Sequence, residues 1–164
     1  MVKRIVIVDD EPNIGPSLKL ILEREGYLVT SCNSASDFQN NGAYRRADVY
    51  LLDVKLPDGN GIDLLRFLRH SENHAPVIMI SGHSTISDAV EATRSGAFDF
   101  LEKPLSRDRV LLALKNAFEH ARLRGENERF REIVGDATRM IGTSAAFLHV
   151  VDQASRVAKS DARV

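Results

Sequence analysis

Three carboxylates, a hydroxyl and an ammonium each follow a short apolar run in this chain. Ile5-Val6-Ile7-Val8 delivers Asp9-Asp10, Val49-Tyr50-Leu51-Leu52 delivers Asp53, Val77-Ile78-Met79-Ile80 delivers Ser81, and Phe98-Asp99-Phe100-Leu101 leads to Lys103-Pro104. An aspartate, with an ordinary pKa of about 3.9, is ionised at neutral pH and can attack phosphorus without a general base. What opposes the attack is repulsion between the carboxylate and the phosphoryl oxygens. A Mg2+ held by Asp10 and Asp53 would offset that repulsion, keeping several waters and accepting substrate oxygens in an octahedral shell, with Asp9 acting through a bound water. Lys103, a compact charge with three donors, suits a phosphoryl oxygen opposite the metal, and Ser81 can donate a hydroxyl hydrogen bond once the group is in place. The chemistry these residues suit is Mg2+-dependent phosphoryl transfer to Asp53.

Taken singly, each feature has an ordinary structural alternative. Asp9-Asp10-Glu11-Pro12 could cap a helix. Ser81-Gly82 could be any strand-to-helix turn, and Lys103-Pro104 an exposed lysine before a turn. Asp58-Gly59 reads as turn chemistry, with Gly59 and Gly61 serving backbone geometry. Phe98 and Phe100 suit a core or an edge strand. It is the repetition of the pattern at four strand ends, in order, that favours a site.

The elements that must position these residues follow from periodicity. Apolar runs of four or five residues alternate with segments of helical period, the pattern of repeated βα units around a parallel sheet. Strands are predicted at 4–8, 28–32, 49–52, 77–80 and 98–101, with helices at 17–25, 34–40, 61–70, 85–95 and from near 106. The continuous Val/Ile/Leu runs require cover on both faces. The fold class is therefore α/β, a doubly wound five-stranded parallel sheet with a C-terminal helical extension, and such sheets bind ligands at the carboxyl ends of their strands. In the first helix Leu18, Ile21 and Leu22 face inward and Gly26 supplies the stop. Gly15-Pro16 falls in its opening turn, so the helix should begin at Pro16 or carry a distorted first turn.

The fifth helical pattern does not stop where the sheet ends. Val110, Leu111, Leu114, Ala117, Phe118 and Ala121 cover the sheet, after which Leu123, Asn127, Phe130 and Val134 continue at spacings of 4, 3 and 4. That is heptad spacing, and it predicts a dimer seam, the alternative being a solvated helical linker. Gly135-Asp136 should end this helix, and Thr143-Ser144 should cap another over about 145–158. The organisation expected is an α/β domain over 1–120, a helical dimerisation linker over 121–138, and the opening of a further domain over 139–164.

Composition bounds the partners. The 164 residues, 43% of them hydrophobic, can build a real core. Net charge is −1, split between residues 1–104 (11 Lys/Arg against 15 Asp/Glu) and 105–164 (11 against 8). An acidic first part suits a cation site, and there is no clustered basic stripe of the kind that binds nucleic acid. The one cysteine, Cys32, allows no internal disulfide, and the five histidines have no ligand-spaced cysteine that would suggest zinc. No run has the length of a signal-peptide core or a membrane span, so a cytoplasmic location is expected.

Residues 3–120 resemble the receiver domain of two-component response regulators. The resemblance lies in Asp9-Asp10, in Asp53 followed by Leu56-Pro57-Asp58-Gly59-Asn60-Gly61, in Ser81-Gly82, and in Phe100-Leu101-Glu102-Lys103-Pro104. It implies a flavodoxin-like strand order of 2-1-3-4-5 and a cis Lys103-Pro104 bond. It also implies that Asp53 takes a phosphoryl group from a sensor histidine kinase. Asp10, Asp53 and the backbone carbonyl of Lys55 would then hold Mg2+ with help from Asp9, Lys103 would bind the phosphoryl group, and Ser81 and Phe100 would form the switch. Such a protein is not an enzyme beyond catalysing its own phosphorylation and dephosphorylation. Two departures stand out: Gly15-Pro16 lies in the helix the family uses to dock its kinase, and Ser81 replaces the commoner threonine, keeping the hydroxyl without the methyl.

Arg139-Met140-Ile141-Gly142-Thr143-Ser144 and the ending Val157 to Val164 resemble the entry to the AAA+ ATPase domain of NtrC-type, sigma-54-dependent activators. That resemblance implies a homodimer through the linker helix, no nucleic acid bound by this fragment, and DNA and sigma-54 RNA polymerase as partners of a full-length protein. Two other readings compete. A phosphorylation-independent, receiver-like dimerisation module would keep the fold without the chemistry. An aspartyl-nucleophile phosphatase would place its nucleophile after the first strand with a second acid two residues on, an arrangement that Asp9-Asp10-Glu11-Pro12 does not give.

Overall fold

The computed structural model describes residues 2–40, 42, 47–82 and 86–137, with only the backbone course for 86 and 132–137. The helix expected over 145–158 and the segment 139–164 lie outside the described residues. The elements are β1 (Arg4–Val8), α1 (Ile14–Arg24), β2 (Leu28–Cys32), α2 (Ala35–Asn40), β3 (Val49–Asp53), a small hairpin β4 (Lys55–Leu56) and β5 (Gly59–Asn60), α3 (Gly61–His70), β6 (Val77–Ser81), α4 (Ile86–Arg94), β7 (Asp99–Glu102) and α5 (Arg107–Ala137).

The main sheet runs β2-β1-β3-β6-β7, every pair parallel. With the two-residue hairpin set aside this is the order 2-1-3-4-5. Alternate side chains of the central strands go to opposite faces. Ile5, Ile7, Leu51, Ile78 and Ile80 pack with Leu18 and Leu22 of α1 and Val110, Leu114 and Ala117 of α5. Val6, Val8, Tyr50, Leu52 and Met79 pack with Phe38 of α2, Ile62, Leu65 and Leu68 of α3, and Ala92 of α4. Strands β3 and β6 are buried at every position, so their backbones have little room to move. Truncating any one of these fully buried Leu or Ile side chains to Ala is expected to cost roughly 2–5 kcal/mol.

Residues Met1–Arg124 form one compact unit and Gly125–Val164 a second. In the first, α5 begins after Ser106, whose hydroxyl accepts the amide of Arg109 at 3.3 Å. In the second, residues 125–137 are helical, two residues beyond the expected stop at Gly135.

Helix α1 starts at Ile14, three residues before the expected Ser17, so Gly15-Pro16 lies inside its first turn. The physical reason is positional. With Asn13 at the N-cap, Pro16 is the third helical residue, where the backbone N–H has no intrahelical acceptor to lose. The ring then faces only the carbonyl of Pro12, outside the helix. At the other end Gly26, at φ +86°, places its own amide on Glu23 O and that of Tyr27 on Leu22 O, closing the helix with two bonds. The same closure ends α3, where Asn73 N–H reaches Leu68 O at 3.0 Å, yet the left-handed position there is held by Glu72 at φ +55°.

Candidate functional site

Strand register brings the sequence-predicted residues together. Val8 of β1 lies beside Leu52 of β3, so Asp9 and Asp53 emerge as neighbours, and Asp53 pairs with Ile80, one residue before Ser81. Ser81 in turn lies beside Glu102, which puts Lys103 at the same edge, its amide bonded to Ser81 O at 2.8 Å. The bond between Lys103 and Pro104 is cis.

Lys103 is the centre of the arrangement. Its Nζ lies 2.5 Å from Asp53 Oδ2, 2.6 Å from Glu11 Oε1 and 3.0 Å from Asp9 Oδ2. Burial works against the ammonium, but the bonds to Asp53, Glu11 and Asp9 outweigh it and raise the lysine above its ordinary pKa. Asp9 goes the other way for a carboxylate. Burial pushes its pKa up, and the attraction of Lys103 only partly opposes this.

Each carboxylate oxygen has a distinct environment. Asp53 Oδ1 accepts the amide of Lys55 at 2.9 Å, so residue 55 turns directly over the acid. Asp9 Oδ1 accepts the amide of Glu11 at 2.9 Å. Asp9 Oδ2 is buried and has no hydrogen-bond partner of good geometry, although the Lys103 ammonium is within ion-pair distance. A buried oxygen with an uncommitted lone pair is what a metal-bound water needs. Asp10 is exposed beside it, and one carboxylate oxygen from each of Asp9, Asp10 and Asp53 falls within 4.8 Å of the others. This all-oxygen donor set fits a hard divalent cation such as Mg2+.

The remaining expected residues occupy graded positions. Ser81 is 1% exposed. Phe100, on the edge strand β7 beside Met79, is half-buried against the cluster that holds Leu52 and Leu65. Along the proposed seam Leu123 and Phe130 are 51% and 67% exposed and Asn127 is exposed. The side chain of Val134 lies outside those described.

Three residues of the site were not legible in the sequence. Glu11 was the third member of an acidic run, and nothing in the run says that it reaches a lysine 92 positions away. Asp58, read as turn chemistry, instead caps a neighbouring helix: its two oxygens accept the amides of Ala35 at 2.9 Å and Ser36 at 2.8 Å, at the start of α2. A hydrogen bond with the Ser36 side chain, followed by those two backbone bonds, holds the exposed Asp58 carboxyl down to about 2. Gly61 serves more than turn geometry. A Cβ there would stand 1.9 Å from the carbonyl oxygen of Asp53, so the first residue of α3 is pressed against the backbone of the central acid.

Comparison with known proteins agrees with this geometry. The family "Response regulator receiver domain" matches residues 5–115. The nitrogen assimilation regulatory protein NtrX of Azorhizobium caulinodans is 35% identical over 166 residues, covering 100% of this chain and 36% of that protein. The crystal structure of NtrX from Brucella abortus in complex with ADP superposes with a TM-score of 0.74 at 34% identity, over 99% of this chain and 37% of that one. The solution structure of the beryllofluoride-activated NtrC4 receiver domain dimer gives 0.64 at 38% identity, over 73% of this chain and 99% of the other. The chain thus spans about a third of the length of the regulator it matches end to end.

Proposed function

The chain belongs to the response regulator receiver domain family, and from that membership we propose that Asp53 is the phosphoacceptor of a two-component regulator. The phosphoryl group comes from a histidine of a sensor kinase: the P–N bond to the imidazole breaks as a P–O bond to the Asp53 carboxylate forms. The observation that carries this reading is the convergence of Asp9, Asp10 and Asp53 within 4.8 Å, with Lys103 Nζ 2.5 Å from the central acid. Mg2+, held by Asp10, Asp53, the backbone carbonyl of Lys55 and, through water, Asp9, would when bound supply the positive charge that offsets repulsion on the phosphoryl oxygens.

The protein's own residues do the rest. The Lys55 amide fixes Asp53 Oδ1, so the acid enters the reaction already oriented. Lys103 moves its donors from the carboxylates to a phosphoryl oxygen, which its four-carbon stem permits. Ser81 donates its hydroxyl to the transferred group, and Phe100 follows into the space this opens, changing the surface near α4 and β7. Differential contacts in two states of this kind are what a switch requires. The reaction is limited to the chain's own phosphorylation and dephosphorylation.

In the longer, NtrC-type protein, the receiver (1–120) and a dimerising linker (121–138) control whether AAA+ ATPase domains beginning near 139 assemble. DNA and sigma-54 RNA polymerase are the partners of that longer protein, and the cytoplasm is its site of action. Among the described residues no helix is long and apolar enough to cross a membrane. The homodimer forms through Leu123, Asn127, Phe130 and Val134. The test is labelling by acetyl phosphate with Mg2+ or with chelator, in the wild type and in Asp53→Asn. Label confined to the wild type with Mg2+ is the expected result; equal label in both proteins would remove the proposal.

A further inference from the structure

The end of the sheet opposite the acidic site carries a second concentration of charge, of the other sign. A cleft of about 320 Å3 opens where β6 and β7 begin, lined by Arg69 and His74 of the α3–β6 region, Phe98 before β7, and His120 and Arg124 of α5. Among the described residues no carboxylate lines it.

Arg69 is the fixed element. It is half-buried, and its guanidinium donates to the carbonyls of Asn73 at 2.8 Å, Ala75 at 3.1 Å and Gly96 at 2.9 Å. Those three bonds lock the plane and leave two of the five N–H donors of a guanidinium unused among the described residues. No described carboxylate pairs with it. Burial and the like charge of Arg124 both disfavour its charged form. An anion entering the cleft would offset the repulsion from Arg124 and supply the counter-charge that a half-buried guanidinium lacks, without reorganising the arginine. Gly96 bears on this approach, since a Cβ there would stand 3.2 Å from Arg69 Nε. Phe98 and His120, with ring centroids 5.2 Å apart and planes tilted by 47°, give the cleft an aromatic side against which the rest of a ligand can pack. The volume is at the lower end of the range for small-molecule sites.

We propose that this cleft binds a small ligand bearing a carboxylate or phosphate group, anchored on Arg69 and Arg124 and flanked by His74, Phe98 and His120. The site is separate from the phosphoacceptor, which lies at the other ends of the same parallel strands, and it stands whether or not Asp53 is phosphorylated.

The test titrates the full chain with pyrophosphate and, separately, with citrate, in chelator and without Mg2+, while the ring signals of His74 and His120 are followed by NMR. Sodium chloride at equal ionic strength is the control. Saturation with a midpoint below about 1 mM is expected for at least one of the two probes, and which of them saturates distinguishes phosphate from carboxylate. Arg124→Gln and His120→Gln leave the Arg69 carbonyl bonds intact, so they should fold. Each should weaken binding, and together by at least roughly tenfold, or about 1.4 kcal/mol. Shifts reproduced by chloride, shifts that rise linearly to about 10 mM, or a midpoint unmoved in the double variant would each overturn the proposal.

Discussion

Replacing Gly61 by Ala should disable Asp53 without touching its carboxylate. The added Cβ would lie 1.9 Å from the Asp53 carbonyl oxygen, 2.9 Å from its carbonyl carbon and 3.3 Å from Met79 Cε. Real Cβ contacts essentially never fall under 3.0 Å, so backbone must separate by at least about 1.1 Å. Neither side yields readily. Gly61 N–H is bonded to Val54 O at 2.9 Å, and Asp53 lies in a strand buried at all five positions. Overpacking of this kind costs about 1–3 kcal/mol. The larger effect falls on phosphorylation, because a displacement of about 1 Å in a reacting group can cost on the order of 100-fold in rate. The chain has no tryptophan, so the rate is better followed by phosphate-affinity electrophoresis after acetyl phosphate and Mg2+ than by intrinsic fluorescence. Gly59→Ala is the internal control, since a Cβ at 59 meets nothing within 4 Å and that variant should behave as wild type. If Gly61→Ala labels within twofold of wild type at an unchanged melting temperature, the close approach has been misjudged.

Other perturbations probe separate parts of the structure. Asp58→Ala should lower the melting temperature at pH 7 by removing both caps on α2. Because the folded-state pKa is depressed to about 2, the native advantage is fully present above the ordinary aspartate value and disappears as pH falls from about 4 toward 2, so the two proteins should converge there. Glu72→Gly should stabilise by about 0.5 kcal/mol in chemical denaturation, since relief of a left-handed non-glycine residue exceeds the added chain entropy. A loss of stability would mean that the Glu72 side chain contributes something the geometry does not explain. Lys103→Met leaves Asp9, Glu11 and Asp53 without their shared ammonium, so its melting temperature should fall in chelator and rise more steeply with Mg2+ than the wild type's. Equal Mg2+ shifts in the two proteins would contradict competition between lysine and metal. Phe130→Glu, at a side chain 67% exposed, should reduce the molar mass seen by light scattering if that residue lies in a dimer seam. An unchanged mass would remove Phe130 from the interface.

The strand ends were legible because a fully buried parallel strand has an unmistakable composition, and the residue that ends it is placed by the fold's own topology. Four short apolar runs therefore located Asp9, Asp53, Ser81 and Lys103 before any contact was known. Other features required the third dimension. Gly61 looks like any loop glycine until α3 is docked on β3. Asp58 looks like a turn residue until α2, 22 positions earlier, is found to end on it. Pro16 looks like a defect when the helix start is counted from the apolar periodicity that begins at Leu18. The helix starts at Ile14, and Asn13 before it makes no side-chain cap bond, so no capping residue marks the true start.

The distribution of burial says which half of the site can move. Asp9 and Asp53 sit at the ends of β1 and β3, whose side chains are almost wholly buried and whose register is fixed on both sides by neighbouring strands. Phe100 belongs to β7, and Lys103 directly follows it; β7 is an edge strand paired on one side only, with two half-buried positions at its start and an exposed residue at its end. Its neighbour α4 exposes Val90 at 45%, whereas α3 buries five of its ten residues. Local rearrangement is least costly where apolar contacts are fewest. Under the proposed function, a group arriving at Asp53 would meet β1, β3 and α3 at their most buried, and a structural response would cost least in β7 and α4. Lys103 links the two halves, being bonded to the rigid carboxylates while its backbone belongs to the segment that follows β7. Whatever redistributes its three ion pairs acts directly on the less buried edge of the sheet.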